Sequence, residues 1–288
     1  MKRRDELANM ATMREYFAIA RLILILYIST YANKPITQAT ARCAALIFLE
    51  KKHIVSKSQI QLAIAIGNTR IKAFVFDRDR QILEEYAYTH EQLPKLEAKL
   101  APRNFERIAI ASVVPDMITS WHRLPQTQMI RTADVPLQGL YPTMGCDRAL
   151  AAYGAGETYG YPVLVIDAGT AITITGIDAQ KNLFGGAIVA GLRSQFACLH
   201  QNTAALPDLP IPETLPQRWA TDTNSAIQAG IAHIFIAGLQ AYIDDWRSEF
   251  PQSQVIITGG DSDYLMKWGL KVDMMEKNLV FLGIMALT

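Results

Sequence analysis

Residues 62–76 read LAIAIGNTRIKAFVF, and residues 163–177 read VLVIDAGTAITITGI. Each is an apolar run, a short glycine-containing turn and a second apolar run, which is the pattern of a β-hairpin. Superimposing Gly67 on Gly169 pairs Asn68 with Thr170 and Ala65 with Asp167, a spacing of 102 residues. An internal repeat of this kind predicts two related halves. In both, the turn is open enough for a ligand phosphate to approach backbone N–H groups.

Working outward, each hairpin is followed by further strand and helix patterns. After the first come an acidic and aromatic strand near 83–88, an amphipathic helix at 93–100, a strand at 108–113 and helical spacing over 149–159. After the second come a strand at 183–189, helices at 192–203 and 225–250, a strand at 254–258 and a last helix at 279–287. Strands alternating with helices predict an α/β fold. Two similar halves predict a bilobal body with a cleft, the lobes being residues 59–160 and 161–288 and the boundary lying near Gly160 to Pro162.

The chain has 288 residues, 28 Lys+Arg and 27 Asp+Glu, for a net charge of +1. That length accommodates about two domains at roughly 100–200 residues each, and half the residues are apolar. The composition excludes a disordered, collagenous or disulfide-dense chain. Near-neutrality gives no electrostatic reason to expect nucleic acid. The average conceals two unlike pieces. Residues 1–58 carry ten Lys/Arg against four Asp/Glu, leaving eighteen basic against twenty-three acidic residues in the body.

Within that basic leader, residues 17–30 (FAIARLILILYIST) are apolar but interrupted by Arg21. The run is shorter than the roughly 20 residues of a membrane span, so no stable membrane association is expected. Asp5, Glu6 and Glu15 weaken a signal-peptide reading. Two alternatives stay open for residues 1–58: a peripheral amphipathic extension, or a start assigned upstream of the true one. Cys43, Cys146 and Cys198 are far apart, with no CxxC or Cys/His metal spacing, which suits reduced thiols and a cytoplasmic protein.

Further glycine-rich segments punctuate the body. Gly185-Gly186 reads as a loop between a strand and the helix that follows Gly191. Thr258-Gly259-Gly260-Asp261 closes an apolar strand and opens a helix, and Gly145-Cys146-Asp147-Arg148 precedes a helix of small residues. Any one of these is most simply a turn. In α/β proteins, however, such strand ends gather helix N-termini and free N–H groups, where anionic ligands bind.

Taken in order, the motifs are GNT-x-x-K from Gly67 to Lys72, Gly145-x-Asp147-Arg148, and Asp167-Ala-Gly-Thr170-Ala171. They continue with Gly185-Gly186-x-Ile188, Asp222-Thr223-x-x-Ala226-Ile227, and Thr258 to Asp261. Over about residues 60–288 this series resembles the type III pantothenate kinases, in the superfamily of acetate and sugar kinases, actin and chaperone ATPases. The resemblance implies two duplicated actin-like, ribonuclease H-like lobes. It also implies phosphorylation of the pantothenate hydroxyl by ATP, the first step of coenzyme A synthesis. A homodimer, Mg²⁺ and a monovalent cation, K⁺ or NH₄⁺, are further implications.

Residue by residue, the resemblance makes Asp147 the catalytic base, where position alone reads as a helix N-cap. It places Tyr141, Gly145, Cys146, Arg148 and Thr223 with Asp147 around pantothenate, Cys146 as a small filler. It assigns Asp167 to the monovalent cation, and a charge ending an apolar strand needs such a partner. ATP falls to Ala65, Ile66, Gly67, Asn68, Thr69, Arg70, Ile71, Lys72, Thr170, Gly259 and Gly260. Without the resemblance, Lys72 reads equally well as a solvated hairpin lysine, and Thr170 and Thr223 as turn or cap residues.

One departure stands out. The family has Asp where this chain has Ala65, and the internal repeat marks the same gap because Asp167 fills the equivalent place. Losing that carboxylate removes a charge that would organise Mg²⁺ and phosphate, worth roughly 10²-fold in rate. Asp77, at the far end of its strand, is a poor substitute. Ala65 therefore raises an alternative, a catalytically weak binding or regulatory homologue. The presence of Asp147, Arg148, Asp167 and Thr223 favours the enzyme.

Overall fold

A computed structural model describes residues 60–287 except 115, 116 and 118; the basic leader lies outside the described residues. The first sheet contains β1 (Ile60–Ile66), β2 (Ile71–Phe76), β3 (Ile82–Tyr88), β4 (Phe105–Ser112) and β5 (Thr127–Ile130). The second contains β6 (Val163–Ala168), β7 (Ala171–Ile177), β8 (Leu183–Ala190), β9 (Gln254–Thr258) and β10 (Met274–Met275). Strand orders are β3-β2-β1-β4-β5 and β10-β9-β6-β7-β8. Reversing the second makes them identical. In each sheet the first three strands form an antiparallel meander, and the fourth runs parallel to the first. The repeat in sequence is thus a repeat in topology, and the expected α/β architecture of two duplicated sheets holds.

The helices are α1 (Leu93–Leu100), α2 (Cys146–Tyr159), α3 (Leu192–Gln201), α4 (Thr223–Glu249), α5 (Ser262–Lys267) and α6 (Leu279–Leu287). Alternation along β1 sends Leu62, Ile64 and Ile66 to one face, where Leu96 and Leu100 of α1 cover them. Ala63 on the other face joins a core of α2, α6 and the inner face of the second sheet, including Val163, Val165 and Ile256. Helices α2 and α6 therefore form a shared layer between the sheets. The outer face of the second sheet packs Leu164, Ile166, Ile172 and Ile174 against α3, α4 and α5.

The structure corrects two sequence readings. The spacing of 102 holds for β1 and β6 but not beyond the turn. Ile66 pairs with Ile71 across a four-residue turn, whereas Ala168 pairs with Ile172 across a three-residue turn. The first turn thus has one extra residue, and Lys72 corresponds to Thr173. Secondly, Gly185-Gly186 is not a loop: both residues lie inside β8, the strand expected at 183–189, paired with Gly176 and Thr175.

Candidate active site

The two hairpin turns meet. Thr69 Oγ1 and Thr170 Oγ1 lie 2.7 Å apart as a hydrogen-bonded hydroxyl pair. Each turn is closed by its own backbone bond, from Gly67 N to Arg70 O at 3.0 Å and from Gly169 N to Ala171 O at 3.1 Å. Asn68, Thr69 and Arg70 are exposed at the first tip, as is Thr170 at the second. Ile66 and Ile71 are buried in the core of the first sheet, so only their backbone can face a ligand.

Helix α2 begins beside these turns. The Asp147 carboxylate accepts the Arg148 backbone N–H at 2.7 Å. A Cβ at residue 145 would lie 2.7 Å from Asp147 Oδ1, so glycine leaves that carboxylate oxygen its present position. Burial pushes the Asp147 carboxyl above its ordinary range, while the backbone hydrogen bonds and the Arg148 charge pull it down. A carboxyl raised in this way is a better proton acceptor for an alcohol.

Arg148 is only 7% exposed. Its Nε donates to Thr175 Oγ1 at 2.6 Å, Nη1 to Tyr141 OH at 2.7 Å and Nη2 to Ile174 O at 2.7 Å. All three acceptors are neutral, so among the described residues the guanidinium forms no salt bridge to a carboxylate side chain. Gly186 makes room for it. A Cβ there would collide with the Ile174 carbonyl and lie 2.5 Å from Arg148 Nη2. Gly186 is therefore required by the neighbouring strand and the arginine, whereas Gly185, with φ +148°, is required by its backbone conformation.

Asp167 is the penultimate residue of β6 and is partly buried. Burial and then the neighbouring Asp147 charge push its carboxyl up to about 6, opposed by Lys72. Asp147, Asp167 and Lys72 thus share one electrostatic neighbourhood. Among the described residues none donates a hydrogen bond to the Asp167 carboxylate, which leaves a cation as its fitting partner. A Cβ at Gly259, whose φ is +96°, would come within 2.5 Å of Asp167 Oδ1. Gly260 is exposed beside it, and Asp261 N–H closes the turn onto Ala168 O at 2.9 Å.

Two of the sequence-selected residues stand apart. The Cys146 side chain turns into the core, its Sγ donating to Ile130 O at 3.3 Å, and burial pushes its thiol up to about 12. It is a filler, with only its backbone near the motif. Thr223 starts α4 with an exposed side chain, next to the N-cap Asp222 that accepts Ser225 N–H at 2.9 Å. No side-chain hydrogen bond joins Thr223 to the other candidates among the described residues. Sequence reasoning missed Thr175, which holds Arg148 from 27 residues away and offers no local signal.

For a divalent ion the donor set is thin. Ala65 contributes no carboxylate, and the described residues contain no group of three His, Cys, Asp or Glu able to hold a metal. A divalent ion here would depend on nucleotide phosphate oxygens for most of its donors.

The sequence pattern of the family described as type III pantothenate kinase matches residues 61–245, well over half of the chain. The type III pantothenate kinase of Synechocystis sp. is 40% identical over 242 residues, covering 81% of this chain and 88% of that one. That of Nostoc sp. is 38% identical over 265 residues, covering 81% and 94%. Among solved structures, a Campylobacter jejuni protein named as a Baf family transcriptional activator superimposes with a TM-score of 0.54 at 19% identity. It covers 78% of this chain and 96% of its own. A Sinorhizobium meliloti protein named as a 2-dehydro-3-deoxygalactonokinase gives 0.51 at 14%, covering 79% and 95%. These two show the shared fold alone, whereas the sequence matches are close enough to place the chain: it belongs to the type III pantothenate kinase family.

Proposed function

We propose that the protein transfers the γ-phosphoryl group of ATP to the hydroxyl of pantothenate, giving 4′-phosphopantothenate and ADP, the first step of coenzyme A synthesis. The observation that carries this reading is the pairing of Asp147, a carboxyl raised by burial, with the buried Arg148 that has only neutral partners. Asp147 accepts the proton of the substrate hydroxyl as its oxygen bonds to the γ-phosphorus and the bond to the β,γ-bridging oxygen breaks. Arg148 and Tyr141 orient the anionic substrate at the mouth of α2, Gly145 and the Cys146 backbone line it, and Thr223 contributes a hydroxyl.

The turn from Gly67 to Arg70, Lys72 and Thr170 hold the phosphates, and Gly259 and Gly260 lie against the adenine. Asp167 would hold a monovalent cation, K⁺ or NH₄⁺, and the nucleotide phosphates would hold Mg²⁺. These ions supply charge neutralisation for the phosphates.

The protein acts as a homodimer in the cytoplasm. An apolar groove of about 560 Å³ between β7, β8, α3 and α4 supports the dimer. Ile188, Ile234 and Tyr242 on it are exposed at 64%, 73% and 49%, which is uneconomic for a monomer. Helix α4 is long and apolar enough to span a membrane, but Ile231, Ala232, Phe235, Leu239 and Ile243 along it belong to the core of the second lobe. Cys146 and Cys198 stand as free thiols, as the cytoplasm would keep them.

The deciding experiment incubates purified protein with ATP, Mg²⁺, K⁺ and pantothenate and follows 4′-phosphopantothenate by mass. Product that depends on all components is expected. Intact ligand binding with no product at any K⁺ concentration would replace this reading with a binding homologue.

A further inference from the structure

In the first hairpin turn the Gly67 and Arg70 carbonyl oxygens are tied back, while the Asn68 and Thr69 amides are left open. Ile66 O accepts Val113 N–H at 3.0 Å, and Arg70 O accepts Gly67 N–H at 3.0 Å. The Gly67 carbonyl is held by a side chain, His90, whose Nε2 lies 2.7 Å from Gly67 O. A carbonyl oxygen can only accept, so Nε2 carries the proton in this contact. Among the described residues no acceptor faces the N–H of Asn68 or Thr69.

The second turn is tied by other means. Thr170 O accepts Gly191 N–H at 2.8 Å and Ser194 Oγ at 3.0 Å, both from the start of α3. Among the described residues no helix start bonds to the first turn, which is one residue longer and so has more backbone freedom to lose. His90, in the short 3₁₀ turn His90–Gln92 after β3, supplies the missing restraint.

The consequence follows from peptide planarity. The Gly67 C=O and the Asn68 N–H belong to one trans peptide group and point in opposite directions. Fixing the carbonyl toward His90 therefore aims the Asn68 amide away from it, toward the open side of the turn. Left to rotate, that peptide would present its carbonyl to an incoming phosphate as readily as its amide.

We propose that His90 is a positioning residue for the nucleotide, its Nε2–H locking the Gly67–Asn68 peptide so that the Asn68 amide faces ATP phosphate. The assignment rests on the reading that this turn holds ATP phosphate, and it adds a determinant 23 residues from the motif that makes the contact.

The test measures ATP, adenosine and pantothenate binding by calorimetry on the full chain and on three variants. Gln can carry a donor to about the reach of imidazole Nε2, Asn is too short, and Phe fills the space without a donor. His90→Phe and His90→Asn are expected to bind ATP about tenfold more weakly, the scale of one lost hydrogen bond. His90→Gln should stay within about threefold of the unchanged chain, and adenosine and pantothenate affinities should not move. Unchanged ATP affinity in His90→Phe, equal losses for ATP and adenosine, or Gln no better than Asn would each overturn the proposal. Should the Phe variant fail to fold, the Gln–Asn comparison decides alone. A failure of the unchanged chain to phosphorylate pantothenate would bear on the reaction, not on this comparison of ATP affinities.

Discussion

Ala65 stands directly opposite Lys72 in the β1–β2 ladder, while in the second sheet the corresponding pair is Asp167 and Thr173. The duplicated architecture thus keeps a carboxylate on one side of the paired turns and lacks it on the other. Lys72 is left with Asp167 as the acid whose titration it moves. Ala65→Asp would place a carboxylate opposite Lys72, where an opposite-charge cross-strand pair is tolerated. The variant should raise kcat by about 10-fold to 10²-fold, the order expected for a charge that organises metal and phosphate. Steady-state kinetics across Mg²⁺ concentration check this, and an unchanged rate would show that the site works without that acid.

Asp147→Asn keeps the shape of the side chain and removes its basicity. If the carboxylate takes the hydroxyl proton, kcat should fall by about 10²-fold to 10⁴-fold. ATP affinity measured by calorimetry should stay within a few-fold, because the nucleotide turns are separate elements. A parallel loss of ATP binding would instead mark Asp147 as part of the nucleotide site.

The Asp167 carboxyl, raised from an ordinary value of 3.8 to about 6, gives a pH signature with a definite sign. Between those values the folded protein binds more protons than the unfolded chain, so stability falls as pH rises through the window. A bound cation favours the ionised carboxylate and offsets that loss. Thermal midpoints should therefore rise with K⁺ at pH 7 and hardly respond at pH 4. In Asp167→Asn both the pH slope and the K⁺ response should shrink. An undiminished K⁺ response in that variant would place the cation elsewhere.

Much of this was legible in the sequence because the signals were local. Apolar alternation located β1, β2, β6 and β7, and helical spacing located α1, α4 and α6 within a few residues. Strand β5 has four residues and β10 has two, and edge strands so short carry too little pattern to register. The extra residue in the first turn was hidden because Gly67-Asn68-Thr69 and Gly169-Thr170-Ala171 align without a gap until the ladders fix where pairing resumes. Gly185-Gly186 resembled a loop because the contacts that require Gly186, the Ile174 carbonyl and the Arg148 guanidinium, arrive from other elements. The same holds for Thr175 and His90: each acts through a contact across the fold, which no spacing rule encodes.

The exposed face of α4 yields the last prediction. Ile234 is 73% exposed in the protomer and lines the same groove as Ile188 and Val189 of β8. A solvent-facing substitution there should change protomer stability by no more than about 0.5 kcal/mol. Ile234→Asp would place a charge in the middle of an apolar face, and a second copy covering that face would have to desolvate it. Sedimentation at micromolar concentration should then find the unchanged chain dimeric and the variant monomeric, with equal thermal midpoints for the isolated protomer. A dimer that survives the substitution would place the contact on another surface, and a monomeric unchanged chain would leave the groove open to a different occupant.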